Sequence, residues 1–173
     1  MRRSIHATGT RTQLCAAMLM VVVAMLLPAP SHAYDNDQPY NAGRSFGLGA
    51  VVGDPTGVTG EQWLANSRAL DFAAAWSLDE NNSMDLSADH VWYDFDALGT
   101  ERHSVALHYG LGGRALLRDH ADDHIGLRMP VGLTWFADGG RVGLFMQVAP
   151  VLDVTPSTDM TVQGGVGARY FLP

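Results

Sequence analysis

The residues best suited to chemistry lie in one short segment, Asp119–His124. It holds two histidines, His120 and His124, together with three aspartates. Imidazole nitrogens and carboxylate oxygens are common ligands of divalent cations, so the residue types suit a metal. The segment falls between two apolar stretches, however, and a loop of this kind does not preorganise the ligands of a specific site. We interpret it as a solvated acidic loop and predict no metal site.

Hydrolytic catalysis on one face of a strand would need a serine nucleophile and a histidine base on the same side of the chain. On a β-strand this requires a spacing of two residues. His103 and Ser104 are adjacent and therefore face opposite ways. His108 has only alanine and glycine two residues away, and His90 has alanine and tryptophan there. We predict no catalytic residue, no cofactor and no enzymatic activity.

A larger set of ionisable residues lies in the middle of apolar segments. These are Glu61, Asp71, Asp85, Asp89, Arg114, Arg128, Asp153 and Arg169. Each falls on the face of its segment opposite the large apolar side chains. Charges removed from water are tolerated when they pair with opposite charges. Three arginines among five acids therefore predict a salt-bridged network with a structural role.

The elements that must position these charges are strands with two different faces. From Ile125 to Trp135, large apolar residues occupy every second position, and glycine, arginine, proline or threonine occupies the positions between them. This period of two is typical of a β-strand. The pattern recurs over lengths of about ten residues, which is what a tilted strand needs to cross a bilayer.

Turn residues divide the chain into eight such segments. We predict strands at 44–52, 58–65, 69–78, 84–93, 103–116, 125–135, 141–152 and 160–172. An even number of strands joined by short turns predicts an all-β fold, an eight-stranded antiparallel up-and-down transmembrane β-barrel. The connection at 94–102 is longer than expected for its side of the barrel and stays unexplained.

A soluble barrel or sandwich with its apolar face turned inward would show the same period. The second face favours the membrane interpretation, because it is rich in glycine and the chain contains no lysine. Small residues fit the narrow interior of an eight-stranded barrel, which is only wide enough for its own side chains. We therefore predict a packed lumen. A narrow channel and a soluble periplasmic barrel that binds a small ligand remain the alternatives.

Aromatic residues are predicted to lie where the apolar wall meets the two membrane surfaces. Phe46, Trp92, Trp135 and Tyr170 fall at one end of their strands, and Trp76 falls at the opposite end. Aromatic girdles of this kind flank the apolar band of outer-membrane barrels.

The first 33 residues are typical of a secretory signal peptide. Three arginines precede an apolar run of about 14 residues, which is shorter than the roughly 20 that a spanning helix needs. Ser31-His32-Ala33 provides a small-x-small cleavage site. We predict a cleaved signal peptide at 1–33, a short N-terminal segment at 34–43 and the barrel at 44–173. Cys15 would leave with the leader, so no disulfide is expected in the mature chain.

The charge balance beyond Ala33 is strongly acidic. Of 11 basic residues three lie in the leader, which leaves eight arginines against 18 acids, a formal charge of −10. Nucleic acid is therefore an unsuitable partner.

Several segments resemble a family of small bacterial outer-membrane β-barrel proteins. They include Gly53-Asp54-Pro55-Thr56-Gly57, Tyr109-Gly110-Leu111-Gly112-Gly113-Arg114, Pro150-Val151-Leu152-Asp153-Val154-Thr155-Pro156 and Gly165-Val166-Gly167-Ala168-Arg169-Tyr170-Phe171. The resemblance implies an eight-stranded barrel of the OmpA and OmpX type, with no enzymatic role. It also implies a terminal aromatic residue that the barrel-assembly machinery reads. Here Phe171 is displaced from the end by Leu172 and Pro173.

Together these features predict a small integral protein of the bacterial outer membrane with a structural or surface-interaction role. Its expected partners are outer-membrane lipid, lipopolysaccharide and the barrel-assembly machinery. Strand counting places the acidic loop at 119–124 on the outer side, where it would contact cation-bridged lipopolysaccharide or an extracellular ligand.

Overall fold

The computed structural model describes residues 45–77, 83–98, 105–118 and 122–172. The predicted signal peptide at 1–33 and the segment at 34–43 lie outside the described residues, as do parts of three connections. In the described part of the chain, no helix is long and apolar enough to cross a membrane.

The described residues form nine strand segments. They are β1 (Phe46–Asp54), β2 (Gly57–Ala65), β3 (Arg68–Ser77), β4 (Ser83–Asp94), β5 (Val105–Arg118), β6 (His124–Arg128), β7 (Val131–Ala137), β8 (Val142–Thr155) and β9 (Asp159–Leu172). A short 3-10 turn, Asp138–Gly140, joins β7 to β8. These segments match the eight predicted strands to within a few residues, except that the sixth is divided in two.

The division of the sixth strand occurs at Met129 and Pro130. Proline has no N–H to donate to a sheet, so a ladder is interrupted there. β6 and β7 nevertheless pair with the same two neighbours, β5 and β8. The break is bridged by the Met129 N–H, which donates to Pro150, and by the Pro130 carbonyl, which accepts from Gly110. The two segments therefore occupy one position in the wall.

The sheet closes on itself. Its order is β4-β3-β2-β1-β9-β8, then β6 and β7 in one position, then β5, which pairs with β4 to complete the ring. Every pairing is antiparallel, and β1 and β9 pair from Phe46↔Leu172 to Asp54↔Gly164. The predicted eight-stranded antiparallel barrel is confirmed. Closure leaves none of the described strands with an unpaired edge, so the wall satisfies its own backbone groups.

The two ends of the barrel differ. The first is called the terminal rim and carries Phe46, Leu172, the Asn66–Ser67 turn and the Asp138–Gly140 turn. Asp138, Gly139 and Gly140 adopt φ values of 50°, 60° and 83°, a left-handed conformation that favours glycine. The opposite end is called the far rim and carries the turns at 55–56 and 156–158.

The long connection after β4 begins with an ordered turn at the terminal rim. Asp94 Oδ1 accepts hydrogen bonds from the N–H groups of Asp96 at 3.0 Å and Ala97 at 2.9 Å. This arrangement is an Asx turn. The turn places Phe95 against the buried aromatic side chains at that end of the barrel. Through Phe95, the described part of the connection thus covers the barrel interior at the terminal rim.

Candidate functional site

The outward face of the wall is apolar on every strand. Exposed side chains include Val52 at 64 %, Met146 at 56 % and Met160 at 68 % of their full area. Others along the wall are Leu48, Val58, Leu111, Leu127, Val148, Val162 and Val166. Soluble proteins rarely expose a contiguous apolar surface of this extent.

The inward face carries the charges. The structure places all eight residues of the predicted network inside the barrel: Glu61, Asp71, Asp85, Asp89, Arg114, Arg128, Asp153 and Arg169. Seven are between 0 and 8 % exposed, and the Arg114 side chain is 10 % exposed. The separation of charged and apolar side chains onto opposite faces follows from the strand period, because successive side chains point to opposite faces.

The Arg169 cluster consists of Arg169, Glu61, Asp71 and Thr59, near the terminal rim. Glu61 and Asp71 are direct neighbours across β2 and β3, so their carboxylates point inward side by side. Arg169 lies between them. Its Nη2 donates to Asp71 Oδ2 at 2.7 Å and to Thr59 Oγ1 at 3.0 Å, and its Nη1 donates to Glu61 Oε2. One guanidinium therefore holds two buried carboxylates.

Two aromatic rings complete the surroundings of this cluster. Tyr93 donates its hydroxyl proton to Glu61 Oε2 at 2.7 Å. The Arg169 guanidinium lies 4.2 Å from the centre of the Phe145 ring, within the range of a cation–π interaction. Neither aromatic residue was predicted from the sequence to belong to the site, although both lie at inward positions of their strands.

A second group of charges continues toward the far rim. Arg128 pairs with Asp89 through Nη1, and its Nε donates to Gln163 Oε1 at 3.1 Å. The Gln163 amide in turn donates to Asp85 Oδ2 at 2.8 Å. Gln163 therefore links the Arg128 pair to the next pair along the barrel axis. Sequence reasoning missed Gln163 because it considered charged side chains only.

Arg114 completes the group at the far rim. Its Nε donates to Asp85 Oδ2 at 2.9 Å, and its Nη1 lies 3.6 Å from Asp153 Oδ2. His124 Nδ1 lies 3.4 Å from the same Asp153 oxygen, and its Nε2 lies 3.2 Å from Arg118 Nη1. His124 thus belongs to the inner network.

The predicted acidic loop is only partly described. Residues 119–121, including His120, lie outside the described residues. Asp123 Oδ1 accepts the Arg118 backbone N–H at 3.1 Å, which orders the start of the loop. Among the described residues, no group of three or more histidine, cysteine or acidic side chains is arranged to hold a metal ion.

Inward glycines make room for the charged side chains. A Cβ at Gly126 would lie 2.5 Å from Asp153 Oδ1, and a Cβ at Gly112 would overlap the Asp89 carboxylate. A larger side chain at either position would displace the network. The abundance of glycine on the inward face thus has a steric cause in this barrel.

An aromatic plug fills the interior at the terminal rim. It consists of Trp63, Tyr93, Phe136 and Phe171, all at most 4 % exposed. Ring centroids lie 4.6 Å apart for Trp63 and Tyr93 and 6.1 Å apart for Phe136 and Phe171. Phe95 covers the plug from the β4–β5 connection, 5.8 Å from Phe136. Phe171, whose expected role was in assembly, is therefore part of the inner packing.

The predicted interface aromatics lie on the outward face. They are Phe46, Trp92, Trp135 and Tyr170 near the terminal rim and Trp76 near the far rim. The exposed fraction is 57 % for Trp76 and 52 % for Tyr170. Trp92 stacks on Tyr109 with ring centroids 6.0 Å apart.

The histidines considered for catalysis are separated by the wall. His108 is buried inside, with Nδ1 3.0 Å from Thr134 Oγ1. His90 is on the outward face, with its ring 4.6 Å from that of Trp92. His103 and Ser104 lie outside the described residues. The described geometry brings no serine and histidine together as nucleophile and base.

Comparison with known proteins gives a structural likeness. No family model matches the sequence, and no curated protein matches it. The architecture is that of a small closed β-barrel. It is similar to the crystal structure of the N-terminal β-barrel domain of Pseudomonas aeruginosa OprF, with a TM-score of 0.57 and 11 % sequence identity. The alignment covers 75 % of this chain and 98 % of that domain. At this identity the likeness shows a shared fold, in agreement with an OmpA-like barrel.

Proposed function

We propose that the chain is a small integral protein of the bacterial outer membrane, with a structural or surface-interaction role and a closed interior. The observation that carries this proposal is the distribution of side chains across the wall: large apolar residues point outward on all strands, and the described charges in the middle of the strands point inward. A lipid-facing barrel requires this arrangement, since arginine at the bilayer midplane costs roughly 2–4 kcal/mol.

The outer wall also carries a groove that suits a flexible hydrocarbon chain. A shallow open groove of about 440 Å³ lies across β7, β8 and β9, and is lined by outward residues such as Val131, Met146 and Val166 together with Gly164. Its lining is almost entirely apolar. An acyl chain of a neighbouring lipid has the chemistry to fill such a groove. Outer-membrane lipid is accordingly the first partner that we propose.

Further partners follow from the orientation of the barrel. With the terminal rim in the periplasm, the far rim, where β5 ends and β6 begins, would face the exterior, and the predicted acidic loop at 119–124 would contact lipopolysaccharide or an extracellular ligand. Export through the cleaved leader at 1–33 and insertion by the barrel-assembly machinery belong to the same proposal. Tyr170 and Leu172, which flank Phe171, point outward and are accessible to that machinery.

Cell fractionation tests the location directly. We expect the mature protein in the outer-membrane fraction, and we expect unheated samples to migrate differently from boiled ones on a denaturing gel, because a closed barrel resists detergent unfolding. Recovery in the soluble periplasmic fraction, without a heat-dependent change in mobility, would instead support the soluble ligand-binding barrel.

The proposed closed interior rests on two layers of packing. The aromatic plug occupies the terminal-rim end, and the paired charges occupy the remainder up to Arg114 and Asp153. An eight-stranded barrel has only enough internal space for such side chains. We therefore favour a structural barrel over the narrow channel.

Planar-bilayer recording tests the closed interior. Purified protein reconstituted into a bilayer should show no steady unitary conductance. The matched comparison is the double variant Phe136→Ala and Phe171→Ala, which removes two rings of the plug and should conduct more than the wild type. Steady, discrete openings of the wild-type protein would favour the channel.

A further inference from the structure

One arginine of the described strands does not point inward. Arg114, Arg128 and Arg169 lie inside the barrel, whereas Arg68 is the first residue of β3 and points outward with Leu70 and Phe72. It is exposed at the terminal rim and forms no ion pair with any described residue. Arg68 therefore offers, beside the apolar wall, a cation that no described residue pairs.

The surroundings of Arg68 are polar and aromatic. Arg68 is the direct cross-strand neighbour of Trp92, and Trp92 is the direct neighbour of Tyr109. His90 pairs with Leu70, which places it diagonally from Arg68 on the same face. The centroid of the Trp92 ring lies 4.6 Å from that of His90 and 6.0 Å from that of Tyr109. We call these four residues, Arg68, His90, Trp92 and Tyr109, the Arg68 site.

The Arg68 site offers hydrogen-bond donors around one aromatic surface. Arginine is the side chain best matched to phosphate, because its planar guanidinium donates two parallel hydrogen bonds. The His90 imidazole adds a donor within reach of a diagonal neighbour on the sheet, and the Tyr109 phenol adds another one strand further across, beyond Trp92. Trp92 and Tyr109, both partly exposed, form the apolar base on which glycerol and acyl groups can pack.

Among the described residues, one acid of β4 lies close to the site. Asp94 is two residues beyond Trp92 on the same face, at the end of β4. Its Oδ1 is engaged by the N–H groups of Asp96 and Ala97. The carboxylate is therefore directed into the Asx turn, and Arg68 forms no ion pair with it. The positive charge of Arg68 remains available to an anion.

We propose that the Arg68 site binds the phosphate of an anionic phospholipid head group at the terminal rim. This inference rests on the proposed membrane location, because it requires the outward wall to face lipid. The occupant follows from charge complementarity and from continuity with the apolar wall: the head group lies on Arg68, and its acyl chains continue along the outward residues above it.

Native mass spectrometry of the detergent-solubilised full chain tests the site, with phosphatidylglycerol as the probe. Arg68→Gln should weaken binding by about tenfold, since it removes a charged partner of the phosphate. The matched control is Arg141→Gln. Arg141 is an exposed arginine on the same rim, paired with Asp138 at 3.8 Å and separated from the strand of Trp92 by β5 and β7. It should change binding by less than about twofold.

Two further probes identify what the site recognises. Diacylglycerol, which lacks the phosphate, should bind the wild type as weakly as phosphatidylglycerol binds the Arg68→Gln variant. Inorganic phosphate alone should bind more weakly than the lipid. Equal binding of phosphatidylglycerol to the wild type and to Arg68→Gln would overturn the inference, as would inorganic phosphate binding as tightly as the lipid. An unchanged heat-dependent gel shift verifies that each variant is folded.

Failure of this inference is distinguishable from failure of the proposed function. A protein that fractionates with the outer membrane but binds phosphatidylglycerol independently of Arg68 contradicts the lipid site alone. A protein that is soluble in the periplasm contradicts both.

Discussion

Replacing Arg169 with leucine should lower the free energy of unfolding by about 3–5 kcal/mol, the typical cost of leaving buried charges without their partner. Arg169 is the cation between Glu61 and Asp71, both of which are buried and side by side. Leucine would leave two carboxylates facing each other with no positive charge between them. Urea unfolding of the refolded barrel in detergent micelles, followed by tryptophan fluorescence, measures the change.

Two control variants distinguish the effect of leaving the buried carboxylates unpaired from the effect of removing an arginine as such. Arg141→Leu removes an arginine whose side chain is 54 % exposed and should change stability by less than about 0.5 kcal/mol. The triple variant Arg169→Leu, Glu61→Gln and Asp71→Asn removes the charges together and should recover a large part of the lost stability, because no unpaired charge remains. Equal stabilities of Arg169→Leu and Arg141→Leu would contradict a structural role for the network.

The fold could be predicted because one period of two residues describes all the predicted strands. Strict alternation fixes both the strand and its two faces, so a segment such as 125–135 could be recognised without knowledge of its neighbours. The division of that segment at Pro130 follows from the missing N–H and could also have been anticipated. The residues at which the long connections begin and end could not be predicted, because no periodic pattern marks them.

The candidate site was less predictable than the fold. Alternation assigns a charged residue to a face, but the choice of partner depends on strand register and on how the sheet closes. Arg169 contacts Glu61 across 108 residues of sequence, because β9 returns to pair with β1. Gln163 could have been found by extending the face assignment to uncharged polar residues. It shares its inward face with Arg169.

The aromatic plug shows where face assignment is insufficient. Trp63, Phe136 and Phe171 lie on the inward face, which the sequence predicts to be small or charged. These three residues occur near one end of their strands, where the interior would otherwise open to water at the terminal rim. Apolar rings there gain burial in contact with one another and separate the Arg169 cluster from the aqueous side. Only the assembled ring brings these distant strand ends together.

Replacing Val148 with arginine should destabilise the barrel in lipid by about 2–4 kcal/mol, because Val148 points outward at the middle of β8, where the bilayer midplane is expected. Its side chain is 52 % exposed to the surroundings of the barrel. Val154 is the matched control, since it lies on the same face of the same strand but near the far rim, and is 50 % exposed. Val154→Arg should cost only about 0–1 kcal/mol.

The difference between these two variants discriminates the membrane barrel from a soluble one. In water, an arginine at either exposed position replaces an apolar side chain without burying a charge, so both substitutions should be nearly neutral. In lipid, the cost depends on depth, and only Val148→Arg places a guanidinium far from both interfaces. Unfolding titrations in phospholipid vesicles measure both variants under identical conditions. Equal stabilities would show that the outward apolar wall of β8 does not lie in a hydrocarbon layer, whereas a loss confined to Val148→Arg supports the proposed membrane location.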